Sequence, residues 1–395
     1  MAFNIALSGL NAVTGQLDQI SNNIANSGSY GFKSGRANFA SAYSQGKAGG
    51  VYIGSTTQSM SLGGNVLATG RSLDAAIQGR GFFVARDSSG AMVYSRLGQF
   101  SVDKDGFVVD SIGRRVQGYG TASGGVLGDL SVPTEAMPAA ASTTLNYAGN
   151  MSADWQPPAG AFDMADATTY NGVQVSSLYD SLGRQHTLSQ YFVRGAGNEV
   201  TVYYAVDGTL VDDGTGPVTS SLQFGTTGQL AAPAAPVSIG LGTPDGAEPL
   251  QVAINYATTT FFGGDFNTTT NRANGNAPGT VVDTTLAEDG SIQVQYSNGS
   301  RQEVGRLALA VFPSESGLTA VDGTSWQPNA TTGEPIYGEA GSGVIGSLEV
   351  ASLEASNVDM AAELVNLMNA QQGYQANSKV LTTESEMVRT LMQAL

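Results

Sequence analysis

No cysteine occurs among the 395 residues of this chain, so neither disulfides nor thiolate metal sites hold its fold or carry its chemistry. The same absence suits a subunit that leaves the cell unfolded through a narrow conduit, where thiols would cross-link. Lysine is nearly as rare: only Lys33, Lys47, Lys104 and Lys379 are present, and the net charge is −16. A nucleic-acid partner is excluded on that ground, because binding to a phosphate backbone depends on clustered cations that release counterions. Histidine occurs once, at His186, whose neighbours Gln185 and Thr187 offer no nucleophile motif. It is expected to be a surface or turn residue. No run of about 18 apolar residues occurs, so no membrane-spanning helix is expected. The opening residues lack a basic region and are interrupted by Asn4, Ser8, Asn11, Gln16, Asp18 and Gln19, which is not the pattern of a cleaved secretory signal.

Proline is absent from both ends: all 13 lie between Pro133 and Pro335, leaving the termini free to form long helices. There the apolar residues are periodic. Phe3, Ala6, Leu10, Val13, Leu17, Ile20 and Ile24 fall at alternating steps of three and four. Met360, Leu367, Tyr374, Leu381, Val388 and Leu395 recur every seven residues, with Leu364 and Met392 on a companion line. These are heptad seams. Pairing the two seams leaves Leu7, Val365, Met368, Met387 and Leu391 uncovered, so both termini are expected to be frayed in the monomer and to order on assembly. The fold expected is α+β and multidomain, with N- and C-terminal helices paired as a coiled coil and mainly antiparallel β domains between them.

Helical periodicity stops at Asn26-Ser27-Gly28, and residues 29–75 read as an irregular or extended linking region. Strands follow at Gly81–Val84, Met92–Arg96, Phe100–Val102 and Phe107–Val109. They are separated by Asp87-Ser88-Ser89-Gly90, Asp103-Lys104-Asp105-Gly106 and Asp110-Ser111-Ile112-Gly113. Further strands are expected at Thr187–Val193, Glu199–Val206 and Gln251–Tyr256. Ile292, Val294 and Tyr296 alternate before Asn298-Gly299, a pair suited to a two-residue hairpin turn with two positive φ angles. Leu307, Leu309 and Val311 are expected to complete the sheet begun near residue 80. Between Thr121 and Ser300 only Arg184, Arg194 and Arg272 oppose sixteen acids, which makes this stretch a solvated outer surface. The expected division is 1–28 plus 355–395 as a helical core domain, 29–75 as the linker, 76–144 plus 286–354 as an inner β domain and 145–285 as an outer acidic β domain.

Chemistry is harder to find. Asp103, Asp105 and Gly106 resemble the start of a calcium loop, but the glycine comes too early and no twelfth-position Glu follows, so turn chemistry explains them better. Gln78-Gly79-Arg80-Gly81-Phe82-Phe83-Val84 leads into a strand rather than a helix N-terminus, so it is read as close backbone packing rather than a phosphate cradle. Asn150, Asn267, Asn298 and Asn329 stand in N-x-S/T sequons of the kind chance supplies. No catalytic, cofactor or metal site is expected, and the chain is not read as an enzyme.

Three stretches carry a family resemblance. Ala6-Leu7-Ser8-Gly9-Leu10, the run Leu17 to Asn26 with Asn22, Asn23 and Asn26, and Gly31-Phe32-Lys33 resemble the N-terminal signature of the bacterial flagellar rod and hook family. Ser356 to Met368 and Gln371 to Lys379 resemble its other end, and Ala76 to Phe83 the entrance to its inner β domain. About half the chain is covered. Gly28-Ser29-Tyr30 departs from the family at one turn. Rod members are generally shorter, so the acidic insert makes this chain look like a hook-type member. The resemblance implies a subunit exported unfolded by the flagellar type III apparatus, without a cleaved signal, to an extracellular position in the basal body and hook. There it would polymerise with itself into a short curved tube coupling motor to filament, next to rod, hook-cap and hook-filament junction proteins. The alternatives are a straight distal-rod-type subunit and, from a different class, a secreted β-rich adhesin.

Overall fold

Helix α1 spans Ala2–Ala25 and helix α2 spans Met360–Ala394. Asp359 caps α2, its Oδ1 accepting from the amides of Ala361 at 2.9 Å and Ala362 at 3.1 Å. The computed structural model describes residues 2–44, 47–121, 124–244 and 246–394. The regular structure between the helices is almost all strand, joined by turns and loops, in two compact units: 1–134 with 283–295 and 301–395, and 135–282 with 296–300.

Within residues 29–75, expected to be irregular or extended, two long segments are extended and paired. Strands β1 (Gly35–Ser44) and β2 (Lys47–Gln58) form a long antiparallel hairpin, and one of its faces lies against α1. Ile53 seats on Gly15, where a Cβ would come within 2.4 Å of its Cδ1. The amide of Val51 donates to Ser8 Oγ at 3.2 Å. The hairpin escaped sequence reading because more than half of its strand residues are Gly, Ala, Ser or Thr, so it lacks the apolar alternation of a strand packed on a sheet.

The first unit holds a twisted sheet whose strands run in the order 319–321, 325–327, 92–95, 82–86, 115–120, 108–110, 98–102, 74–78, 347–350. Strand Leu309–Val311 pairs with Phe82–Arg86, completing the sheet as the sequence suggested. Its core gathers Phe82, Val84, Tyr94, Phe312 and Trp326, with Met60 entering from the end of the hairpin. The rings meet edge to face, Tyr94 and Phe312 at 4.7 Å and Phe82 and Trp326 at 5.7 Å between centroids.

The second unit packs a sheet of strands Gly172–Tyr179, Gln185–Arg194, Glu199–Val206, Thr219–Phe224 and Leu230–Ala232 against one of Val237–Gly240, Gln251–Asn255, Thr144–Asn150 and Asn267–Ala273. Among the described residues the strands pair antiparallel except Thr144–Asn146 with Ala253–Asn255, and the single bridge between Asn150 and Thr260 is also parallel. Two buried tyrosines, Tyr204 and Tyr256, share a hydrogen bond at 3.0 Å, and Tyr256 donates to Gln190 Oε1 at 2.6 Å, so their hydroxyls are satisfied inside the core.

One turn design recurs in both units. Asp87, Asp103, Asp110 and Asp180 each accept from the amides two and four residues on, and the glycine three residues on takes a φ between 79° and 88°. The aspartate holds the loop open while glycine supplies the left-handed position. Asp103 and Asp105 therefore belong to a turn. The turn at Asn298-Gly299 differs from expectation: only Gly299 has positive φ, at 81°, and the bonds Gly299 N to Tyr296 O and Tyr296 N to Ser300 O enclose three residues instead of two. Asn298 is held out of the left-handed region by its side chain, which donates to Ala277 O at 2.6 Å and accepts from Ser300 N at 2.9 Å. The loop is thus the three-residue type with glycine in the bulge.

His186 is better connected than a surface residue. Its Nδ1 lies 2.7 Å from Asp207 Oδ2 and its Nε2 lies 3.3 Å from Asp180 Oδ2. Asp207 chiefly, then Asp180, raises the His186 pKa against the opposing effect of burial. Burial would raise the Asp180 carboxyl, but the amides of Arg184 and Leu182, the Arg184 guanidinium and His186 hold it down at about 2. Because folding raises the affinity of His186 for its proton, its contribution to stability is complete below about pH 6.5 and is lost as pH rises through the folded value. The contribution of Asp180 is present above about pH 3.9 and is lost as pH falls toward about 2. The second unit should therefore be most stable between about pH 4 and 6.5. Trp155 and Trp326 are the chain's two tryptophans. Melting followed at Trp155 in a Trp326→Phe background should show the melting temperature falling from pH 6 to pH 8, and His186→Gln should abolish that fall.

Candidate assembly surface

The Gly31-Phe32-Lys33 stretch leaves α1 and turns back into the first unit. Gly31 sits at φ +70°, where a Cβ would come within 2.8 Å of Leu97 N, and its amide donates to Glu354 O at 2.7 Å. That turn delivers Lys33 to a site where it is 1% exposed and Glu354 is 2% exposed, with Nζ 2.6 Å from Glu354 Oε1 and donating to Leu62 O at 2.8 Å. Glu354 Oε1 also accepts from Gly64 N at 2.9 Å. On the other side Arg96, equally buried, lies 3.5 Å from Glu354 Oε2 and donates to the carbonyls of Ile77 and Gly79. Burial lowers the pKa of Lys33 despite the opposing pull of Glu354, and it lowers Arg96 likewise. Phe32 is half-buried; its carbonyl accepts from Asn357 N at 3.3 Å, while Asn357 accepts from Ser34 N and donates to Ser59 O and Leu62 O.

Asn23 is a second junction. Its side chain is 1% exposed, donates to Gly35 O and Glu363 Oε1, and accepts from Gly35 N, so one amide ties α1 to β1 and to α2. Asn26 donates to Asn22 O and accepts from Ser29 Oγ, closing the end of α1, and Asn22 is exposed. Sequence reading singled out Lys33 and Asn23 but missed Glu354, Arg96 and Glu363. The usable signal was that a lysine in a small-residue turn, if buried, requires an acidic partner.

The two helices run antiparallel. Gly9 faces Asn377, Gly373 faces Val13 and Asn23 reaches Glu363, so fourteen residues of α1 match fourteen of α2 with no slip. Within the chain Ala6 and Ile20 are buried, Leu10, Val13, Leu17, Ile24, Leu367 and Leu381 are half-buried, and Phe3 is 49% exposed. Met360, Leu364, Tyr374, Val388 and Met392 are exposed; Leu395 lies outside the described residues. The companion line that meets α1 is Glu363, Ala370 and Asn377 rather than Leu364 and Met392. Small and polar residues at Gly9, Ala370, Gly373 and Asn377 let the backbones approach closely, and such a line gives no hydrophobic signal. The uncovered residues expected from the pattern are exposed: Leu7, Val365, Met368, Met387 and Leu391, the last at 59%. Four of these five stand on α2, and uncovered apolar surface of this kind is characteristic of contact surfaces. Among the described residues no group of three or more His, Cys, Asp or Glu is arranged to hold a metal, and no helix is long and apolar enough to cross a membrane.

Comparisons with known proteins agree with this geometry. Residues 76–153 match the flagellar hook protein FlgE/F/G D1 domain, 146–276 the flagellar basal body protein FlaE D2 domain, and 350–394 the flagellar basal body rod FlgEFG protein C-terminal region. The chain is 36% identical to the flagellar hook protein FlgE of Escherichia coli K12 over 407 residues, covering 99% of each chain. It is 31% identical to that of Brucella suis over 400 residues, covering 98% of this chain and 96% of the relative. The crystal structure of Helicobacter pylori flagellar hook protein FlgE2 superposes with a TM-score of 0.53 at 13% identity, over 73% of this chain and all of that one, which is a likeness of fold.

Removing Glu354 leaves two buried cations without a counter-charge, so Glu354→Met should cost about 3 to 5 kcal/mol in denaturant unfolding of the first unit, followed at Trp326 in a Trp155→Phe background. Adding Lys33→Met should restore part of that loss. If the double variant is the less stable of the two, the ion pair is not what the burial of Lys33 depends on.

Proposed function

The chain belongs to the flagellar hook protein family, and we propose that it polymerises through its terminal helices into a curved tube acting as a universal joint between motor and filament. The observation that supports this most is the set of large apolar side chains that stand exposed on α2, with Met368, Met387, Val388, Leu391 and Met392 all more than half exposed among the described residues. In this reading α1 and α2 form an antiparallel coiled coil on the inner wall, completed by neighbouring copies through heterologous contacts that repeat without closing. The inner β domain (76–144 plus 286–354) follows outward. The acidic domain (145–285) stands outermost, where its polar, like-charged surface lets neighbours slide as the tube bends.

By family resemblance the chain travels through the flagellar type III apparatus without a cleaved signal. It then abuts rod, hook-cap and hook-filament junction proteins. Electron microscopy of the purified chain should reveal curved tubes; straight ones would favour a rod-type subunit, and persistent monomers would refute both. Leu17→Asp and Leu381→Asp each place a charge at the half-buried helix contact and should abolish polymerisation while leaving the fluorescence-detected melting of the β units intact. Assembly surviving either change would contradict the seam account.

A further inference from the structure

The register that matches Gly9 with Asn377 brings the first turn of α1 opposite Glu384, yet α2 continues to Ala394. The final ten residues of α2, about 15 Å of helix, therefore extend past α1. They do not become polar. Val388 continues the heptad line of half-buried Leu367 and Leu381, on which Tyr374 is exposed, and Leu391 continues that of buried Ala370 and of Asn377, which meets Gly9, so the stripe that faces α1 runs on after α1 has ended. Met387 and Met392 widen it, and all four residues are more than half exposed. A second uncovered patch occupies the other end of α2 on its opposite side: Leu364, Val365 and Met368, exposed at 49, 50 and 54% and free of charge.

Resting on the polymer reading above, we infer that the overhanging end of α2 in one copy seats on the Leu364/Val365/Met368 patch of α2 in a second copy. The contact is head-to-tail, so each copy offers one surface at each end of the same helix. The occupant is another copy of this chain because the overhang prolongs an interface the chain already makes with itself. Its flanking charges, Glu386 and Arg389, stand off the stripe, and a helix presenting an equally uncharged apolar patch fits it without burying an ion. Joining opposite ends of one helix yields open rows of subunits rather than pairs.

The absence of cysteine makes the test clean. Met368→Cys and Leu391→Cys are introduced separately and together, and purified chains are assembled and mildly oxidised. Residues 368 and 391 lie about 34 Å apart along one helix, too far for an intrachain disulfide, which needs Cα atoms within about 7 Å. Each single variant can join only two chains. The double variant should give a ladder of covalent trimers and higher multimers under denaturing electrophoresis, lost on reduction. Tubes that form normally with no ladder beyond dimers would overturn the inference while leaving the polymer reading intact. The pair Val365→Cys and Val388→Cys must behave alike, so a single pair that disrupts assembly does not shield the inference. If the unmodified chain forms no tubes, the polymer reading fails, and this contact fails with it.

Discussion

A buried lysine has to be paired, and the pairing of Lys33 with Glu354 is the constraint on which the rest of this structure depends. The partners lie 321 residues apart in sequence, at a separation of 2.6 Å. A charge so deeply buried costs several kcal/mol unless it is met by an opposite charge and hydrogen bonds. Lys33 finds both only when the turn after α1 and the strand before α2 are in place together. The same few residues carry the backbone bond from Gly31 to Glu354 and the side-chain bonds of Asn357. The start and the end of the chain are thereby fixed to the inner sheet at one point, and both helices leave from it.

That fixed departure sets the register in which the two helices run. Gly9 meets Asn377 and Gly373 meets Val13, with Asn23 and Glu363 bonded at the base. Small residues at these points let the helices approach closely, while several larger side chains of α2 stay exposed. In the proposed polymer, cohesion between chains falls to side chains of α2 that stand exposed in the monomer, Leu364, Val365 and Met368 at one end and Met387, Val388, Leu391 and Met392 at the other. A subunit built this way holds its ends in position without satisfying them, which is what a polymer requires of a monomer that must not be complete on its own.

Sequence reading found the features that have local causes. The Asp-x-x-Gly turns at Asp87, Asp103 and Asp110 were legible because one side chain and one glycine determine each of them, and the strands between them followed, whereas the same turn at Asp180 was not singled out. The heptad stripes were legible because large apolar residues recur, although the line meeting α1 was hidden in Glu363, Ala370 and Asn377, whose role depends on closeness rather than hydrophobicity. The β1–β2 hairpin was illegible for a related reason: Gly15 and Ile53 explain each other only once the hairpin lies on α1. Asn298 took the wrong turn type because its side chain answers to Ala277, far away in sequence. Glu354 at the end of strand Ser352–Glu354 and Arg96 just after strand Met92–Ser95 complete the central site, and only the burial of Lys33 makes them necessary.

The central claim is that the terminal helices are completed by neighbouring copies rather than by the chain itself. Amide hydrogen exchange, compared by mass spectrometry between monomer and assembled polymer, tests it most directly. The account predicts that peptides from α1 and from α2, above all residues 385–394, exchange rapidly in the monomer and slow by orders of magnitude on assembly, while peptides from Phe82 to Gly120 exchange slowly in both. Helices as protected in the monomer as that sheet, gaining nothing on assembly, would contradict it.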